Sequence, residues 1–173
     1  MPINRRQFFQ LGAASLMMAC GFSSLGSYFV KQEIVAGQSV VQPKHLPVLR
    51  ALIQGFLDTA LPNTGRTAAI EEAINAFVKI SKTLTPTAQA DLGQLLDILE
   101  NPLGRLLIAN LNHDWEMAPT SEVQNFLISF RDHPIPALQP GYHILHDITM
   151  TGWYSLPSQW IEMGYPGPPS QAS

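Results

Sequence analysis

The chain has 173 residues, of which 46% are hydrophobic and only 13% charged, with a formal net charge of −3. From Gly37 onward seven Lys/Arg stand against twelve Asp/Glu, net −5. That balance leaves no basic patch for nucleic acid, and a length sufficient for one domain with a real core. The single cysteine, Cys20, lies near the start, so everything after it lacks a disulfide and a cysteine-based metal or iron–sulfur site. Protein surfaces usually carry about a quarter to a third charged residues, so the sparse charge points to a surface partly covered by something else.

The first thirty residues have their own character. Arg5 and Arg6 are followed by Gln7, Phe8 and Phe9, then by an uncharged run from Leu11 to Val30. Adjacent arginines ahead of a mildly apolar segment resemble a twin-arginine (Tat) export signal. Arg5, Arg6 and Phe8 are the candidate recognition residues. Asn4, Phe9 and Gln10 depart from the usual pattern. The run is long enough to cross a bilayer as a helix, and Gly12, Gly21 and Gly26 keep its hydrophobicity low. An ordinary secretory signal or a plain anchor is the competing reading. Met17-Met18-Ala19-Cys20 is a poor lipoprotein box, and small residues at Ser24–Gly26 or Ile34–Ala36 suit ordinary cleavage. A Tat substrate crosses the membrane already folded, commonly with a cofactor or a bound partner.

Residues 1–36 therefore read as signal or anchor, 37–45 as a linker without helical period, 46–155 as a helical domain and 156–173 as a tail. Leu49, Leu52, Ile53, Phe56, Leu57 and Ala60 follow the spacing of one buried helix face. Pro62-Asn63-Thr64-Gly65 ends that helix. Ile70, Ala73, Ile74, Phe77 and Val78 repeat the pattern. Thr85-Pro86 is a capped start with proline in the first turn, leading to Ala88, Leu92, Leu95, Leu96 and Leu99. Asn101-Pro102 opens a short helix through Leu103, Leu106, Leu107 and Leu111. The next starts near Pro119–Glu122, with Ser121 and Gln124 at capping-box spacing and Val123, Phe126, Leu127 and Phe130 inward. His133-Pro134-Ile135-Pro136 reads as a stiff, extended connection.

From Ala137 to Tyr154 two faces are apolar, one through Leu138, Tyr142, Leu145, Thr149 and Trp153, the other through Ile144, Ile148 and Gly152. A helix apolar on most sides is buried on most sides, so this segment is the expected central helix. No stretch alternates long enough for a strand. The expected class is all-α, about six short helices in an orthogonal bundle behind a signal helix. Two of the three tryptophans and two of the four tyrosines fall between Trp153 and Pro169. Stiff aromatic side chains are enriched at interfaces, which makes Trp153, Tyr154, Trp160 and Tyr165 candidate partner-binding residues. Self-packing of the tail is the alternative.

The leader, the all-α body and the closing Trp153-Tyr154-x-x-Pro157-x-x-Trp160-x-x-x-Gly164-Tyr165-Pro166-Gly167-Pro168-Pro169 resemble the small subunit of membrane-associated, FAD-dependent sugar and polyol dehydrogenases. That group includes the small subunits of sorbitol and fructose dehydrogenases, the gamma subunit of FAD-dependent glucose dehydrogenase and gluconate 2-dehydrogenase subunit 3. Glu122–Arg131, Leu138–Tyr142 and Trp153–Pro169 match best. The resemblance implies an accessory protein without its own cofactor or catalytic residues. A large subunit would carry FAD and oxidise the substrate, and a multihaem cytochrome c subunit would take the electrons. The small subunit would escort the large one through the Tat translocase to the periplasmic membrane face. Some members of that family are thought to link the two subunits by a disulfide, and here no cysteine after Cys20 is available for one.

The residues allow one other chemistry. His143 and His146 share a helix face with Asp147 beside them, a possible start of a metal site with Glu116, His113 or Asp114 as further ligands. An independent Tat-exported metal-binding protein or enzyme is the alternative that follows. A polar stripe on the helix is the simpler reading of the pair, because two histidines without a wider motif are weak evidence. His113-Asp114-Trp115-Glu116 is expected to cap or follow the short helix. No nucleophile elbow, glycine-rich nucleotide loop or haem-attachment motif occurs.

Overall fold

The computed structural model describes residues 40–134, 138–162 and 164. Among them it is all-α, with seven helices and no strand. The helices are α1 Leu46–Leu57, α2 Arg66–Ser81, α3 Pro86–Glu100, α4 Pro102–Gly104, α5 Thr120–Arg131, α6 Gln139–Tyr154 and α7 Pro157–Glu162. Short 3₁₀ turns lie at Pro43–His45 and Trp115–Met117, and a π turn at Arg105–Ala109. The expected signal helix, with Arg5, Arg6, Phe8 and Cys20, and the tail from Tyr165 lie outside the described residues.

The local start signals form as chemistry dictates. Thr85 accepts the Ala88 N–H at 3.3 Å through its hydroxyl, and Pro86 fills the first position of α3. Asn101 accepts the Leu103 N–H at 2.9 Å. Each bond satisfies a donor that a helix start leaves free. The capping box expected at Ser121 and Gln124 does not form. Helix α5 begins two residues earlier than that box requires, at Thr120 after Pro119, with no side-chain cap. The Gln124 amide instead reaches Asp58 Oδ2 at 3.4 Å.

The central element is α1, not α6. No residue of α1 is exposed, and the helix touches α2, α3, α5, α6 and both 3₁₀ turns. Helix α6 has many neighbours too, but His143, Asp147, Thr151 and Tyr154 form a solvent-facing stripe along it. Its apolar residues number enough to suggest burial all round, yet Tyr142 and Ile144 sit at the edge of the core rather than within it. The closest pairing of α6 is with α2. There Gly152 presses on the backbone of Ala76, where a Cβ would lie 3.2 Å from the carbonyl carbon.

Two apolar clusters follow. The larger joins Leu49, Leu52, Phe77, Leu92, Leu96, Phe130 and Leu145. The smaller, at the far end of α1, joins Ile53, Leu57, Ile70, Ile74 and Trp153. Phe126 stacks on Phe130 with ring centres 5.2 Å apart, and Trp115 meets Phe126 edge-on at 5.8 Å. The buried Trp115 N–H donates to the Leu99 carbonyl at 2.7 Å, which ties the turn after the π segment to the end of α3.

The linker expected over 37–45 ends sooner. Val40 and Val41 are buried and belong to the larger cluster. Val40 lies against Gly93 of α3. Two adjacent valines in a polar stretch are enough apolar surface to dock it, and the following 3₁₀ turn locks that docking.

Candidate functional site

Of the four aromatic residues expected at an interface, the structure separates the first two. Trp153 has 1% exposure and fills the smaller cluster between α1 and α2. It is a core residue, because the register of α6 that places Gly152 on α2 also turns Trp153 inward. Tyr154, one position on, is 47% exposed. Its carbonyl accepts the indole N–H of Trp160 at 3.0 Å, which folds α7 back beside the end of α6. Trp160 is half-buried. Tyr154 and Trp160 therefore stand together at one end of the molecule. Tyr165, the fourth candidate, lies outside the described residues.

The two histidines of α6 both pack against Tyr142. His146 stacks on Tyr142 with ring centres 5.6 Å apart and meets Phe56 edge-on at 5.7 Å. Its Nδ1 lies 3.0 Å from Asp147 Oδ1. His143 is exposed and meets the Tyr142 ring edge-on at 5.5 Å. Of the suggested further ligands, His113 Nε2 lies 2.8 Å from Glu122 Oε2, Asp114 binds Arg105, and Glu116 lines the cleft beside α1. Among the described residues no group of three or more His, Cys, Asp or Glu side chains converges.

A constellation the sequence did not advertise lies at the N-terminal arm. His45 has 1% exposure. Its Nδ1 accepts the Gln42 N–H at 3.2 Å, and its Nε2 lies 2.8 Å from Asp97 Oδ1 on α3. An acceptor role at Nδ1 requires the neutral ring to donate from Nε2. Lys44 Nζ reaches the same Asp97 oxygen at 2.6 Å. Burial holds His45 below its ordinary value, outweighing the opposing pull of Asp97. Burial would raise Asp97, but hydrogen bonds from Lys44 and His45 outweigh it and hold the carboxyl below its usual value. A histidine oriented by a carboxylate has the form of a general base. Here both ring nitrogens are engaged inside the protein, so no substrate atom can reach one. The pair is a clasp that fixes the arm to α3. The signal that could have found it is Asp97 itself, an acid set between Leu96 and Leu99 of a buried stripe.

A shallow cleft of about 310 Å³ lies between α1 and the Trp115 turn, lined by Arg50, Gln54, Glu116 and Thr120 among others. Arg50 is paired with Glu71, and the cleft holds neither a histidine nor a thiol. Compared with known proteins, the chain matches no family model, no curated protein and no solved structure. No described helix is long and apolar enough to cross a membrane.

Proposed function

We propose that this chain is a non-catalytic small subunit that binds an FAD-containing sugar or polyol dehydrogenase subunit. It escorts that subunit through the Tat pathway and stabilises it at the periplasmic membrane face. The observation that carries the reading is the coupling in one sequence of an Arg5-Arg6-x-Phe8 leader to the aromatic Trp153–Pro169 segment. The helical domain supports it in one respect. The arm before α1 is clasped to α3 through Val40, Val41 and His45, so the described body is packed from its first residues onward. That suits a pathway that carries folded cargo. Tyr154, Trp160 and Tyr165 supply the docking contacts in this reading, FAD belongs to the partner, and a cytochrome c subunit accepts its electrons.

The test is a pull-down of the tagged chain from its native membranes, reading flavin absorbance and fluorescence in the eluate. A co-purifying flavoprotein is the expected result, and a lone colourless chain would refute the escort role. Replacing Arg5 and Arg6 by lysine should keep the partner in the cytoplasm; its arrival in the periplasm would show that the leader has no escort duty.

A further inference from the structure

The arm before α1 runs along α3. Val40 lies against Gly93, and His45 meets Asp97 one helical turn further on. Between them the chain makes a turn closed by two bonds. The His45 N–H donates to the Gln42 carbonyl at 2.9 Å, and the Gln42 N–H donates to His45 Nδ1 at 3.2 Å. The imidazole is therefore shared. One nitrogen holds the turn shut, and the other holds the turn to α3.

That sharing leaves one place for a second proton. Nε2 carries the first, because Nδ1 accepts a backbone N–H. A proton arriving at Nδ1 faces the Gln42 N–H, donor against donor, around a ring with 1% exposure. The other bond survives the change, since Nε2–H still donates to Asp97, now from a cation. The charged groups about the ring are Lys44 on its own turn and Asp97 and Glu100 on α3. Two acids favour the imidazolium and one cation opposes it, yet burial holds the ring below its ordinary value. The cation has counter-charge enough; it lacks an acceptor at Nδ1. Water supplies that acceptor once the Gln42 side of the turn opens.

We infer that the turn at Gln42–His45 is an acid-operated hinge: a proton on His45 Nδ1 expels the Gln42 N–H and undocks Val40 and Val41 from α3, with the His45–Asp97 bond as the pivot. The magnitudes allow it. The apolar hold on the arm before the turn is two valine side chains, a burial of the same order as the cost of one donor left unpaired in the interior. One proton therefore suffices to tip the balance. The helices are not part of the movement, and the surface uncovered is the strip of α3 at Gly93. The proton comes from solvent and stays on the ring, and no covalent bond changes.

The experiment is an NMR titration of the full-length, ¹⁵N-labelled chain from pH 7.5 to pH 4.5, following the ring nitrogens of His45 and the amides of Val40, Val41 and Gln42. The expected result is a single step in which Nδ1 changes from acceptor to protonated and those three amides move to solvent-exposed positions, while the amides of α2 stay fixed. A second measurement reads the valines directly. Val41→Cys in a Cys20→Ser background should react with dithiodipyridine about tenfold faster at pH 5 than at pH 7.5, each rate taken relative to a free thiol at the same pH. Adding His45→Gln should bring that ratio to about one. A His45 that titrates while Val40, Val41 and Gln42 stay fixed overturns the inference. So does an arm that undocks with Nδ1 still unprotonated, or α2 amides lost in the same step, which would be global unfolding. A thiol rate that rises equally with and without His45→Gln also overturns it. The titration uses the unsubstituted chain, so it decides the matter even if a variant does not fold.

Discussion

His45 and Asp97 lie fifty-two positions apart in the sequence, and their side chains meet at 2.8 Å with the imidazole sealed from solvent. The bond joins the arm before α1 to the helix that forms one wall of the core. Lys44 closes on the same carboxylate from outside. One acid thus receives a buried neutral donor and an exposed charged one, and the arm cannot leave α3 without losing both.

The clasp makes stability fall with acid. A histidine held below its ordinary 6.5 in the fold stabilises the folded chain above that pH, and the stabilisation is lost as pH falls from 6.5 toward the folded value. Asp97, held below its ordinary 3.8, adds a loss at still lower pH, as its carboxyl protonates in the fold. Chemical denaturation of the wild type from neutral pH down to pH 5 should show a declining midpoint. His45→Gln should flatten that decline. An equal pH slope in both proteins would show that His45 titrates alike in the folded and unfolded states.

Removing the acid should cost more than its partial exposure suggests. In Asp97→Ala the Nε2–H of a fully buried ring loses its acceptor, a loss of about 1–3 kcal/mol. Urea denaturation at neutral pH measures it. Amide hydrogen exchange at Gln42 and His45 should accelerate more than exchange in α2, which the clasp does not touch.

Trp153 and Tyr154 should part company. Trp153→Ala empties the smaller cluster and should destabilise the fold by about 3–5 kcal/mol. Tyr154→Ala, on the exposed side of the same helix, should stay within about 0.5 kcal/mol of wild type while lowering flavoprotein recovery. Thermal melts and flavin absorbance of the two purified variants, side by side, check both halves of the statement.

Gly104→Ala should be among the worst single-methyl additions in the chain. The new Cβ meets a backbone oxygen, which cannot rotate away as a side chain can. The corner between α3 and α4 must open, at a cost of about 2 kcal/mol. A melting temperature equal to wild type would mean that the corner relaxes freely and that the π turn is not strained.

Much of the helical layout was readable along the chain. The caps at Thr85 and Asn101, the stripes of α1, α2, α3 and α5, and the break at Pro62–Gly65 depend on contacts within a turn or two, which a linear pattern contains. Helix α6 shows where pattern stops. Both of its apolar faces read as buried, and both find neighbours, Ala76 against Gly152 on one and Phe56 against Tyr142 on the other, while the stripe through His143, Asp147, Thr151 and Tyr154 faces solvent. The leucines after Pro102 show the same limit. Their spacing is that of a buried helix face, but the π turn changes the residues per turn and so changes which of them face in.

What the sequence determined by itself was the all-α class, the capped starts, the absence of any cysteine chemistry after Cys20 and the acidic balance of the body, because each is local or compositional. What only the tertiary structure decided was that α1 is the central helix, that Trp153 is core while Tyr154 is surface, that His45 clasps Asp97, and that Leu103, Leu106 and Leu107 face outward. Each of these depends on residues far apart in sequence meeting in space, and no periodicity along the chain encodes which neighbours a face will find.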